Sequence, residues 1–473
     1  MSKKIKGDDL KKVGYNEGKI LGMALDAAQK LKKVRKDQVL VLLKKVKDYP
    51  ESFLEDPEMK GLAQAMIEHL NKPVETTISL KPTTQTYKIY GAEYIEDGAR
   101  SQMDVAMKLP VTIGGALMPD AHQGYGLPIG GVLATDNVVI PYGVGVDIGC
   151  RMALTIFDIP EKDFEKNESK YKRELIAHTK FGAGEAFKGS DRSDHEVLTR
   201  KEFNIAPFIN QMRDKAWSQL GTSGGGNHFA EWGIIQFSDE DFKLGIGKGN
   251  YVALLTHSGS RGFGATIAGH YTKLAKEICK LPKEAINLAY LDLNSQEGHE
   301  YWVAMNLAGD YASACHEVIH DKLVKAIGGT VLGRIENHHN FAWMEKWQGR
   351  EVIVHRKGAT PAGTGVMGII PGSMATPGFL VRGRGDENSI NSASHGAGRL
   401  MSRTQAIKSI SKSDLAAVLH DNKITLIGAG LDEAPMAYKD INMVMNAQQD
   451  LVDVVARFRP AIVRMARDGS RED

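Results

Sequence analysis

Cysteine is nearly absent from this sequence: 473 residues contain three, Cys150, Cys279 and Cys315. Three cannot form a disulfide framework; they fit a reducing compartment, where a lone cysteine is buried, metal-bound or catalytic. Long hydrophobic runs are missing too. No stretch approaches the roughly 18 apolar residues of a membrane span, and the N-terminus lacks the apolar centre of a secretion signal. These absences point to a cytoplasmic protein without membrane association. A strong net charge is also lacking: the balance is +2, so the whole molecule is not a polycation. The pattern G-x-x-x-x-G-K-[ST] occurs nowhere, so nucleotide binding of the P-loop type is not supported. Repeats of fixed period and long low-complexity linkers are absent as well.

What remains is an ordinary soluble composition, 42% hydrophobic and 25% charged, with enough apolar residues for a large core. The charge is unevenly spread. Residues 1–50 carry 14 Lys/Arg against 6 Asp/Glu, and residues 353–408 carry 7 against 2. A local basic surface suits an anionic partner such as a nucleotide or RNA, although N-terminal lysines also suit a plain solvated helix face.

Residues 8–72 have helical spacing and read as an N-terminal helical extension, with a boundary at 75. Thr76 to Tyr90 alternates like strands, with Pro82 as a break. From residue 110 the texture changes: residues 111–150 hold 9 glycines among short β-branched runs. Val132–Thr135, Val138–Ile140, Arg151–Ile159, Tyr251–Thr256 and Val352–His355 read as strands. Residues 161–220 are polar and partly helical, in the manner of a lid. Residues 264–327, Gly398–Ser411 and Met443–Phe458 read as helices. The fold class expected is α+β, with mixed β-sheets packed together and flanked by helices. Chemistry-bearing motifs are spread from residue 119 to residue 440, which favours a single catalytic domain over 76–473.

Asp147 and Cys150 stand three residues apart, a hard oxygen and a soft thiolate on one turn. Downstream lie His228, His257 and the pair His338-His339, each beside Gly, Ser or Asn. One Asp, one Cys and three His suit a two-metal site in which the thiolate bridges; the alternative is a set of unrelated polar turn residues. Ser394-His395-Gly396-Ala397-Gly398-Arg399, placed before a helical pattern, offers backbone N–H groups to a phosphate. Arg399 is able to clamp an oxygen there, with His395 as general acid/base or covalent nucleophile. The bland alternative is a capped helix with a surface histidine. Asp120 and His122 either orient a hydroxyl or stabilise a turn. Lys357 to Gly363 and Pro371 to Met374 supply turn backbone of the kind that cradles phosphate.

Taken in order, Asp120-Ala121-His122-Gln123-Gly124-Tyr125-Gly126, Asp147-Ile148-Gly149-Cys150, Gly224-Gly225-Gly226-Asn227-His228-Phe229, His257-Ser258-Gly259-Ser260-Arg261-Gly262, His339-Asn340 and Ser394 to Arg399 resemble the RtcB family of RNA-splicing ligases. The likeness runs from about residue 85 to the C-terminus and leaves the N-terminal helices uncovered. It implies a ligase dependent on two Mn²⁺ and GTP. Such an enzyme joins RNA 3′-phosphate or 2′,3′-cyclic phosphate ends to 5′-hydroxyl ends, in tRNA splicing or RNA repair, with an archease-type activator as a further partner. By the same likeness one metal takes Asp147, Cys150 and His228, and the other takes Cys150, His257 and His339. His395 carries GMP, with Asp120 and Cys150 also in catalytic roles. The nucleotide meets Asn227, His228, Phe229, Glu231, Asn340, Ser373, Gly396, Ala397, Gly398, Tyr438 and Arg464. A two-metal phosphoesterase that acts on RNA ends without guanylylation is the competing reading.

Two positions depart from the family's pattern and mark a divergent branch. Arg151 follows the bridging cysteine where the family has Gly, and is expected to clamp a phosphate or narrow the pocket. Arg464 stands at the position matched to a Lys that reaches the guanine, which changes the donor geometry there.

Overall fold

The computed structural model describes residues 5–15, 18–31, 34–70 and 77–467. The chain divides into two compact units, Met1–Thr76 and Thr77–Asp473. In the first, helices Gly7–Lys12, Lys19–Lys30, Lys36–Asp48 and Lys60–Leu70 enclose a core of their own. Val39, Leu43 and Val46 recur at helical spacing and are buried, and the Tyr15 hydroxyl donates to the Leu43 carbonyl at 2.7 Å.

The second unit is built on two large sheets. One has five strands in the order Lys88–Ile89, Thr112–His122, Ile129–Thr135, Arg350–Lys357, Phe341–Trp347. The other has eight. Its path runs Met367–Ile370, Gly378–Gly383, Val452–Met465, Phe229–Phe237, Gly249–Ser258, Arg151–Pro160, Val331–His338, and Thr425–Ile427 pairs parallel to Val452–Met465. All neighbours along that path are antiparallel. Its strands are rich in Val, Ile and Leu because both faces are covered. Met152, Leu154, Ile156 and Leu255 fill one core layer, while Phe157, Trp232, Val252 and Leu254 fill another. Helices Arg261–Ile278 and Gln296–Ile327 pack against each other and carry Phe263, Tyr271, Tyr301 and Tyr311 into the largest cluster. This is the α+β arrangement of mixed sheets flanked by helices. Among the described residues no helix is long and apolar enough to cross a membrane.

Several local expectations change. The Thr76–Tyr90 alternation yields one short strand, Lys88–Ile89, of residues 77–90; residue 76 lies outside the described residues. The helix expected over Met443–Phe458 is a single turn and a half, Ile441–Asn446, followed by the 14-residue strand Val452–Met465. Its β-branched valines fill a slot between two strands, and Pro460 sits at a register shift, where a missing N–H is tolerated. The helix expected from Gly398 begins only at Arg403, capped by the Ser402 hydroxyl, so residues 396–398 are not a helix N-terminus. Residues 161–220 are no detached lid: Val197, Phe203, Ile209, Ala216 and Leu220 are buried in the main core.

Candidate functional site

The antiparallel order explains how distant residues converge. The starts of Arg151–Pro160 and Phe229–Phe237, and the ends of Gly249–Ser258 and Val331–His338, all fall on one rim of the eight-stranded sheet. Register pairs Arg151 with both Ser258 and His338, and Phe229 with His257. Cys150, His228, His257 and His339 sit at those strand ends. Their ligand atoms form two groups, Asp147/Cys150/His228 and Cys150/His257/His339, each with all atoms within 4.8 Å of one another. Cys150 Sγ lies 3.4 Å from His228 Nε2 and 3.1 Å from His257 Nε2, so the sulfur belongs to both groups.

The donor chemistry fits a metal. The His257 Nδ1–H donates to the Asn227 carbonyl at 3.1 Å, which leaves the Nε2 lone pair facing inward. That Nε2 stands 3.2 Å from His339 Nε2, and His339 Nδ1 is buried without a partner among the described residues. Burial drives His257 down to about 3, with the charge of His228 adding to it, and drives His339 well below the ordinary range. Neutral imidazoles converging on a cysteine sulfur suit a divalent transition metal. Burial pushes the Asp147 carboxyl up, but His228 and Arg261 outweigh it and keep it ionised. Ser260 N donates to Asp147 Oδ1 at 2.9 Å. Gly259 is obligatory beside it, since a Cβ there would lie 2.0 Å from Asp147 Oδ2.

Behind this rim runs a buried hydrogen-bond chain. Thr155 Oγ1 contacts His320 Nδ1 at 2.7 Å; His320 Nε2 contacts Thr256 Oγ1 at 2.8 Å; Thr256 Oγ1 contacts His316 Nδ1 at 2.6 Å; His316 Nε2 reaches the Ser258 carbonyl at 3.2 Å. Burial keeps both imidazoles neutral, and since the terminal carbonyl can only accept, every donor in the chain then points toward it. The chain holds Thr256 and Ser258 on either side of His257.

His395 follows the short strand Ser392–Ser394 and faces Asp120 from the five-stranded sheet. The His395 Nδ1–H donates to Asp120 Oδ2 at 2.7 Å, and the same oxygen accepts from His395 N at 3.1 Å and Gly396 N at 3.3 Å. Asp120 is fully buried. Burial raises its carboxyl, yet the His395 hydrogen bond, with charge from His395 and Lys439, leaves it below the ordinary value. Lys439 Nζ donates to the carbonyls of Pro119 and Ala121, clamping the strand on both sides of Asp120. Gly398, at φ +75°, lets the loop close: a Cβ would meet the Asp120 carbonyl at 2.1 Å. Nδ1 is thereby committed, and His395 Nε2 is the nitrogen free to act on a ligand. The His395 ring lies 4.9 Å from that of His339.

A cavity of about 350 Å³ opens between these groups. His257, His339, His395 and His122 form one end; Asn227, Phe229, Glu231, Ser373, Gly396, Ala397, Gly398 and Tyr438 continue the wall. Glu231 is 5% exposed and has no hydrogen-bond partner among the described residues, and burial holds its carboxyl well above the ordinary range. At the far end Glu433 takes the Tyr438 hydroxyl and the guanidiniums of Arg399 and Arg403. Glu433, Arg403, Met374 and Met465 also line the cavity; Met374 belongs to the expected Pro371 to Met374 turn, while sequence reasoning missed Glu433, Arg403 and Met465.

Four expected contacts fall elsewhere. Arg464 is not on the cavity wall: it alternates with Val463 and Met465, which are, and its NH1 donates to the Leu175 and Ile176 carbonyls at 2.9 and 2.6 Å. Arg151 points away from the metal rim, paired with Glu336 and donating to the Gly309 carbonyl at 2.6 Å. Arg399 does line the cavity, with donors engaged by the Asp432 and Met401 carbonyls, Glu433 and the Tyr438 hydroxyl. The Asn340 side chain accepts from Gly358 N at 2.8 Å, behind the cavity wall. None of residues 357–363, expected as a phosphate-cradling turn, lines the cavity, and Lys357 Nζ is held by the Tyr125 and Tyr142 carbonyls.

The tRNA-splicing ligase RtcB profile matches residues 102–466. The chain belongs to the RtcB family. The RNA-splicing ligase RtcB of Escherichia coli (strain K12) is 34% identical over 397 residues, 78% of this chain and 94% of that protein. The tRNA-splicing ligase RtcB of Nanoarchaeum equitans is 32% identical over 414 residues, 73% of this chain and 87% of the relative. The tRNA-splicing ligase RtcB of Archaeoglobus fulgidus is 30% identical over 441 residues, 77% and 90% of the two. The unit Met1–Thr76 lies outside the matched RtcB region.

Proposed function

We propose that this RtcB-family chain is a GTP-dependent RNA ligase that joins RNA 3′-phosphate or 2′,3′-cyclic phosphate ends to 5′-hydroxyl ends. It acts in the cytoplasm, with the chemistry in residues 76–473 and residues 1–75 as an extension. The observation that carries the reading is His395: Asp120 fixes its Nδ1–H, and its Nε2 is left for a cavity walled by His257 and His339. Imidazole is both a good nucleophile and a good leaving group, as a transient guanylyl carrier must be.

His395 Nε2 attacks the α-phosphorus of GTP; the P–N bond forms as the bond to pyrophosphate breaks. Asp120 stabilises the positive charge that the ring acquires. An oxygen of the RNA 3′-phosphate then attacks the same phosphorus and releases His395, and the 5′-hydroxyl displaces GMP. A 2′,3′-cyclic phosphate is first opened by hydrolysis. Two Mn²⁺ would be held by Asp147, Cys150 and His228, and by Cys150, His257 and His339. Bound there, they neutralise charge on phosphate oxygens and lower the pKa of a hydroxyl. Glu231 accepts from the paired N–H donors of the guanine edge; burial favours its neutral form while unpartnered, and two such donors would favour the carboxylate. Phe229 and Asn227 complete the nucleotide wall, with Ser373 and Tyr438. An archease-type protein is the activator expected for such a ligase.

The test is incubation with α-labelled GTP and Mn²⁺, beside His395→Ala. Acid-labile, alkali-stable label on the unmodified chain alone is the expected result. No label on either, with Mn²⁺ bound, would hand the site to phosphoester hydrolysis.

A further inference from the structure

Beside the catalytic cavity lies a second groove, of about 450 Å³, that the proposed chemistry does not use. Its floor is the face of helix Arg261–Ile278 that carries Gly269, Lys273 and Lys276, and its walls include Tyr142 and Val146. Gly269 opens on empty space: a Cβ there would meet nothing within 4 Å. Val146 is exposed and is the chain neighbour of Asp147, so the groove runs up to the metal rim. At its other edge stands Tyr125, which also lines the catalytic cavity. The two rings, Tyr125 and Tyr142, are 6.3 Å apart and tilted by 34°.

Tyr125 is the informative residue. Its side chain is 69% exposed, so it contributes little to packing. Its backbone is nevertheless pinned. Buried Lys357 donates to the carbonyls of Tyr125 at 2.5 Å and Tyr142 at 3.2 Å, and lies 5.0 Å from the Tyr142 ring centroid. Gly126 leaves no room beyond itself, as a Cβ would meet the Asn287 carbonyl at 2.8 Å, and Lys276 holds the Asn287 side chain at 2.7 Å. A rigid loop that offers a bare aromatic face to solvent is a stacking platform for an unpaired base. Lys273 and Lys276 supply positive charge along the same groove, against the single carboxylate of Glu277.

We propose that this groove is the track of the single-stranded RNA whose terminal group reaches the metal rim, with a base stacked on Tyr125 and backbone phosphates met by Lys273 and Lys276. The proposal rests on the RNA-ligase reading. It goes beyond it in assigning the strand next to the reacting end to these residues.

The test is fluorescence anisotropy of the full chain with short single-stranded RNAs, one ending in 3′-phosphate and one in 5′-hydroxyl, which shows which end uses the groove. Tyr125→Ala is expected to weaken binding about 5- to 150-fold, and Tyr125→Phe to restore it, because the ring and not the hydroxyl is used. Replacing Lys273 and Lys276 by Ala together should lower the slope of log affinity against log salt by about 1.4. Labelling from GTP reports whether each variant keeps its fold and nucleotide pocket. If Tyr125→Ala loses label as well, the lysine pair decides. RNA affinities and salt slopes equal to those of the unmodified chain would overturn the proposal. So would variants that keep RNA affinity but lose stimulation by a protein activator, since the groove would then belong to that partner. Unmodified protein that binds RNA but takes no label would instead sink the ligase reading and leave the groove standing.

Discussion

Replacing Asp120 by Asn separates the charge of this residue from its shape. Three N–H donors, from His395 Nδ1, His395 N and Gly396 N, surround the Oδ2 position. The amide oxygen must therefore take that place, and the NH2 turns to the position of Oδ1, which has no partner among the described residues. The His395 tautomer survives, and what is lost is the negative charge. In the resting state a charge-assisted hydrogen bond becomes a neutral one, a loss of about 1–1.5 kcal/mol. The larger loss comes as Nε2 bonds phosphorus and the ring turns cationic. At a charge separation of about 4 Å and an effective dielectric of about 20, the missing attraction has an upper limit of about 4 kcal/mol. Single-turnover labelling of His395 from GTP should therefore slow roughly 10- to 1,000-fold. Mn²⁺ affinity should be unchanged, because Asp120 belongs to neither ligand group. The stability term has a definite sign. A carboxyl held below its unfolded value stabilises the fold above about pH 4, and the contribution is lost as pH falls through the folded value. The Asn variant should lack that acid limb. Labelling within about twofold of the unmodified rate would refute the argument that Asp120 stabilises the charged imidazole.

Cys150→Ala removes a sulfur shared by both ligand groups, so Mn²⁺ stoichiometry should fall at both sites and not one; elemental analysis after gel filtration reads it. Arg464→Ala should cost about 1–3 kcal/mol of stability in denaturant unfolding, from the two lost bonds to the Leu175 and Ile176 carbonyls. It should leave the preference for GTP over ATP as it was, and a switch in that preference would return Arg464 to the base. His355 and His320 are buried neutral, held down to about 4 and about 3 by burial. The unfolded chain binds more protons below about pH 6.5, so stability should fall with pH from there, by up to about 1.4 kcal/mol per pH unit for each histidine. Thermal melts of metal-free protein check this, and His355→Gln should flatten the slope.

Strands rich in β-branched residues were legible as such: Val132–Thr135, Tyr251–Thr256 and Val352–His355 all lie within observed strands. So was the change of texture near residue 110. The segment after Met443 was not, because its valines, alanine and glutamines carry either period, and only pairing on both sides decides for a strand. Residue types named the groups able to hold a metal. Nothing in their spacing says that four strand ends share a rim; the antiparallel order does that. Arg464 and Arg151 were misplaced because neighbouring side chains along a strand face opposite sides: Arg464 stands between Val463 and Met465, which line the cavity, and Arg151 follows Cys150 but turns to Gly309 and Glu336. Arg399 differs: it lines the cavity as its motif suggests, but Asp432, Met401 and Glu433, distant in sequence or outside the motif, engage its donors.

Among the described residues, the strand Val452–Met465 follows all others of its sheet in chain order and yet lies inside it, between Gly378–Gly383 and Phe229–Phe237. During synthesis the sheet must therefore wait as two incomplete halves, each with an open edge where that strand will go. Such edges invite pairing with another chain. Val463 and Met465 on the late strand also close the cavity wall. A nascent chain has no finished pocket until this keystone arrives, and a truncation before residue 452 is expected to yield aggregating halves and not a weakened enzyme.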